Sequence, residues 1–75
     1  MKTLPPHLER VAYFVSLGLS NKEMAGRLGL TPGTIADYVR KARDITGAHN
    51  RSELMRWYLI KEGKLKDEPP LFGPS

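Results

Sequence analysis

The chain has 75 residues, 12 of them Lys or Arg and 8 Asp or Glu, for a formal charge of +4. A chain this short holds one small domain and buries only about 60% of its unfolded surface, which argues against a deep two-lobed cleft and an elaborate enzyme. The absence of cysteine removes disulfide scaffolds, thiolate nucleophiles and cysteine-ligated metal centres, and 40% hydrophobic with 27% charged residues suits a packed core.

Helix punctuation divides the chain into four segments. After Pro5 and Pro6, Leu8, Val11, Ala12 and Val15 fall at i, i+3, i+4 and i+7, predicting a helix over 6–17 that Gly18 stops. Ser20 with Glu23 forms a capping-box pattern and starts a second helix over 21–28, with Met24, Ala25 and Leu28 as core candidates and Gly29 as its end. Thr31 before Pro32 is a third start signal, because the hydroxyl caps and proline gives up only an N–H that would be unpaired there. That helix is expected over 32–46. Asn50 with Glu53 repeats the capping pattern for a fourth over 51–62. No segment alternates with period two, so no strand is assigned and the fold class is all-α, a domain over 1–63. Residues 64–75, with three prolines and mixed charges, are expected to be a short flexible, disordered tail, with Leu71 and Phe72 as a docking pair.

No apolar run is long enough to span a bilayer, and the N-terminus lacks a signal peptide's apolar stretch and cleavage site. The expectation is a cytoplasmic protein without a membrane partner. His7 and His49 stand far apart with no carboxylate at ligand spacing, the serines lack a nucleophile-elbow context, and Gly26, Gly29 and Gly33 lack the Lys-Ser/Thr of a phosphate loop. No catalytic, metal or cofactor site is therefore expected.

Along the third helix Ile35, Tyr38, Val39, Ala42 and Ile45 share a core-facing arc, while Gly33, Ala36, Asp37, Arg40, Arg43 and Asp44 face outward with Lys41 on their flank. A helix, a tight Gly29–Thr31 turn and a second helix with basic residues on its outer face form a helix-turn-helix pattern, in which the second helix lies in the major groove. Small side chains at Gly33 and Ala36 permit close approach, and Arg40 and Lys41 reach bases or phosphates. A solvated helix face charged only for solubility is the competing reading.

The stretch from Gly18 to Ile35, GLSNKEMAGRLGLTPGTI, closely resembles the signature of the LuxR/GerE-type helix-turn-helix family, and Gly47 to Leu54, GAHNRSEL, resembles its downstream block in register. The likeness runs from about Leu4 to Gly63 and is to the stand-alone, GerE-like form. It implies a four-helix, sequence-specific double-stranded-DNA-binding transcriptional regulator, not an enzyme, whose third helix reads the major groove and whose fourth dimerises. Ala36, Asp37 and Arg40 correspond to base-facing positions; Asn21, Lys22, Thr31, Thr34, Tyr38 and Lys41 correspond to phosphate contacts, with Arg43 beside them. Lysine or arginine is commoner at the place of Ala36, and an uncharged side chain at that of Asp37. Asp37 either accepts from a cytosine amine or pairs with Arg40 or Lys41 across a turn, and the intrahelical pair is favoured.

The fourth helix has Leu54, Trp57 and Tyr58 on a core stripe, with Met55 and Leu59 on another side as a self-complementary homodimer contact. The alternative reading is a protein-interaction adaptor that docks on RNA polymerase or another regulator through this helix and the tail. Half of the net charge falls on residues 31–51, where Arg40, Lys41, Arg43 and Arg51 outweigh Asp37 and Asp44. With only Lys64–Ser75 beyond the helices, a regulatory signal is expected to arrive by abundance, through a partner, or not at all.

Overall fold

The computed structural model describes residues 3–65. Within them the chain forms four α-helices and no strand: α1 Pro6–Ser16, α2 Asn21–Leu28, α3 Pro32–Thr46 and α4 Arg51–Lys61. The all-α class expected from the sequence is the class observed, and none of these helices is long and apolar enough to cross a membrane. Leu71 and Phe72 lie outside the described residues.

Local side chains set the helix ends. The Ser20 hydroxyl accepts from the Glu23 N–H at 3.1 Å while the Glu23 carboxylate accepts from the Ser20 N–H at 2.8 Å, closing both halves of the box. The bond from the Ser20 backbone N–H, aided by the Ser20 side chain, holds the Glu23 carboxyl below its ordinary value of 4.5. Its contribution is thus present at neutral pH and lost as pH falls through the lowered folded-state pKa. Thr31 caps α3 by accepting from the Thr34 N–H at 3.2 Å. At α4 the box is displaced: Asn50 accepts from the Glu53 N–H at 2.9 Å, but the Glu53 carboxylate takes the His49 N–H at 2.7 Å, one residue ahead of the cap.

Each helix contributes to one core. Leu8, Val11, Ala12 and Val15 of α1, Met24 and Ala25 of α2, Ile35, Val39 and Ala42 of α3, and Leu54 and Tyr58 of α4 are buried together. Leu4 joins them from ahead of the first helix, where no periodicity could select it. Leu28, Tyr38, Ile45 and Trp57, all placed on core stripes by the sequence, pack on the margin and stay half-buried. Helix α1 lies against α3 and α4, and α2 is held chiefly by α3. Lys61 in the last turn of α4 reaches Glu9 near the start of α1 at 2.8 Å, and Tyr13 meets Tyr58, so the two helices run antiparallel. That bond from Lys61 to Glu9, with a second to Glu62, raises the Lys61 pKa above its ordinary 10.5.

The α2–α3 turn depends on Gly29, which has φ +69° and lets the Leu30 N–H bond back to the Ala25 carbonyl at 3.0 Å. Gly26, by contrast, is exposed and helical, and a Cβ there would meet no atom within 4 Å. Replacing Gly26 with alanine should therefore stabilise the fold by about 0.5–1 kcal/mol through helix propensity. Gly29→Ala should destabilise it despite the open space, because alanine is strained at positive φ. Thermal unfolding of the two variants should move in opposite directions.

Candidate nucleic-acid interface

Burial of Ile35, Val39 and Ala42 fixes the rotation of α3 about its axis and turns Ala36, Asp37, Arg40, Lys41 and Asp44 away from the core. The Arg40 and Lys41 side chains keep 70% and 56% of their surface exposed, against 37% for Asp37. One carboxylate oxygen of Asp37 is bonded by the Arg40 guanidinium, and the other is 3.3 Å from the Lys41 ammonium. The bond from Lys41, reinforced by the charges of Lys41 and Arg40, holds the Asp37 carboxyl below its ordinary 3.8. The intrahelical pair anticipated for Asp37 is thus formed, with both cations at once.

The leading end of α3 is a hydroxyl cluster. Thr31 and Thr34 share a hydrogen bond at 3.0 Å beside the exposed, small Gly33. Tyr38 sits half-buried at the core margin, its ring edge-on to that of His7 with centroids 5.0 Å apart. Lys22 is exposed in the first turn of α2.

Three other side chains of interest are engaged within the protein. The Asn21 side-chain oxygen accepts from Arg51 at 2.7 Å, and the same guanidinium reaches the Leu19 carbonyl at 2.5 Å, tying the start of α4 to the start of α2. Arg43 donates to the His49 carbonyl and, at 3.4 Å, to that of Ala48, bracing the α3–α4 turn. Hence Arg43 and Arg51, counted from sequence as part of the basic surface around α3, are half-buried structural donors. Arg40 and Lys41 are the cations that α3 presents outward. Sequence reasoning missed the Arg51 clamp, since no local pattern links residues thirty positions apart.

On α4, Met55 is half-buried and packs partly against its own core. Leu59, also half-buried, lies outside that packed set, and its carbonyl accepts from the N–H groups of Lys64 and Leu65 at 2.8 and 3.2 Å. A shallow groove of about 330 Å³ opens beside α4 between Thr46, Ala48, Trp57 and Ile60.

The chain is similar to the two-component response regulator PprB of Pseudomonas aeruginosa, with 39% identity over 51 residues. The match covers 68% of this chain and 18% of that relative, so the chain spans less than a fifth of the relative's length. No family model and no solved structure matches the chain.

The division between internal and outward cations has a measurable consequence. Arg51→Met and Arg43→Met should each lower unfolding stability by about 1–3 kcal/mol, the usual range for losing hydrogen bonds from a charged donor. Arg40→Met should leave the urea midpoint essentially unchanged.

Proposed function

We propose that the protein is a sequence-specific regulator of transcription that binds duplex DNA with α3 in the major groove. The observation that carries this reading is the outward pair Arg40 and Lys41 on the helix that follows the three-residue Gly29–Thr31 turn from α2. A major groove about 12 Å wide accepts one such helix, and small residues at its leading end permit close approach. In this geometry Ala36, Asp37 and Arg40 lie on the side turned to base edges, with the Asp37 carboxylate held by Arg40 and Lys41 rather than free to bond a base. Lys22, Thr31, Thr34, Tyr38 and Lys41 lie toward phosphates, as do the amide hydrogens of Asn21. Arg43 contributes by holding the C-terminal end of α3 rather than by direct contact. The likeness to a two-component response regulator supports a regulatory rather than a catalytic role, and the resemblance of residues 18–35 and 47–54 to the LuxR/GerE family supports the DNA-binding one.

Two copies would join through α4, placing two reading helices on paired half-sites. Leu59 is the better anchor, because Met55 is partly committed to its own core.

Two experiments test the reading. Binding of genomic duplex fragments should weaken steeply with salt, and Arg40→Gln with Lys41→Gln should cut affinity about tenfold or more and flatten the slope by about 1–2, near 0.9 for each phosphate left without its cation. Undetectable binding at low ionic strength, or binding indifferent to these changes, would refute it. In sedimentation, Leu59→Glu should convert dimer to folded monomer; an unchanged sedimentation coefficient would exclude α4 as the interface.

A further inference from the structure

We propose that Asp37 is a specificity-determining residue that works as an internal competitor for Arg40 and Lys41, so that duplex of arbitrary sequence must displace two ion pairs before either cation can neutralise a phosphate. The inference rests on the DNA-binding reading and adds to it a function for Asp37, the acidic side chain that pairs with both outward cations.

Asp37, Arg40 and Lys41 stand at i, i+3 and i+4 on the same exposed arc, where side chains three and four apart are neighbours. Each carboxylate oxygen already has a cationic partner: Oδ1 has Arg40 and Oδ2 has Lys41. Non-specific affinity for DNA comes from phosphate neutralisation and counterion release. A cation already paired with a carboxylate contributes less to that release, and the carboxylate itself is repelled by the approaching phosphates. Random sequence offers only phosphate in exchange. A site that presents guanine O6 and N7 takes two of the five guanidinium donors of Arg40 and leaves another for Asp37, so that pair need not be broken there. Asp37 therefore weakens binding most where its pairs must be broken to neutralise phosphate, and least where Arg40 bonds a base while keeping its carboxylate partner, so the ratio of specific to non-specific affinity rises.

The experiment measures binding of the full chain to a short random-sequence duplex and to a site selected from a random pool, across a range of salt. Asp37→Asn should tighten binding to the random duplex about five- to tenfold at low salt and steepen its salt slope by about 1–2. It should tighten the selected site less, so the specificity ratio falls. In an Arg40→Gln, Lys41→Gln background the same change should have a much smaller effect. Wild-type binding with an unmoved Asp37→Asn affinity and slope would overturn this inference alone. So would a loss confined to sites with cytosine at one position, which would make Asp37 a base contact. An equal gain in the background lacking both cations would overturn it too, since that is simple repulsion. Absence of duplex binding by all these proteins at low salt would overturn both this inference and the DNA-binding reading.

Discussion

The position of every outward side chain on α3 depends on the burial of Ile35, Val39 and Ala42 in the core shared with Met24, Val11, Val15 and Leu54. Three apolar residues at i, i+4 and i+7 define one stripe, and burying that stripe leaves one rotational setting of the helix. In that setting Ala36, Asp37, Arg40 and Lys41 project together from the surface. The core does not contact the candidate interface directly. It controls the interface by removing the rotational freedom of the helix that carries it.

A domain of this size has few buried side chains with which to hold four helices, and much of its orientation comes from polar ties between them. Eight residues are too few for α2 to stand alone as a helix. It is anchored by the Ser20–Glu23 box, by packing on α3 and by the Arg51 clamp on Asn21 and Leu19. Arg43 performs the corresponding work at the α3–α4 turn, and Lys61 closes α4 on Glu9 of α1 while lying within 6 Å of the Trp57 and Tyr58 rings. These are charge-assisted bonds to carbonyls, an amide and a carboxylate, and they orient elements more sharply than apolar contact does.

What could be read from the sequence follows from the range of each interaction. Caps act over three residues, so Ser20, Thr31 and Asn50 announce their helices without any knowledge of the rest of the chain. Helical stripes act over seven, so the buried faces of α1 and α3 are visible in the same way. The Asp37 pairs span three and four positions and were also legible. Arg51 to Asn21 and Lys61 to Glu9 span 30 and 52 positions and were not. Leu4 was missed for a related reason, since a residue outside a periodic segment reveals its burial only through tertiary packing. The α4 helix was the hardest to read, because its apolar residues surround it and the stripe through Leu54 and Tyr58 does not stand out from Met55, Leu59 and Ile60.

The same division of labour changes how the net charge is to be understood. A formal +4 suggests a broadly attractive surface for anions. Along α3 and the start of α4, however, Arg43 and Arg51 face carbonyls and an amide within the protein, and Asp37 engages both remaining outward cations. Affinity for a polyanion under this arrangement cannot be large by charge alone. To neutralise phosphate, Arg40 and Lys41 must give up an intramolecular partner, whereas a contact that leaves that partner in place avoids the cost. A nearly balanced outward face is thus better suited to discriminating among anionic surfaces than to adhering to all of them.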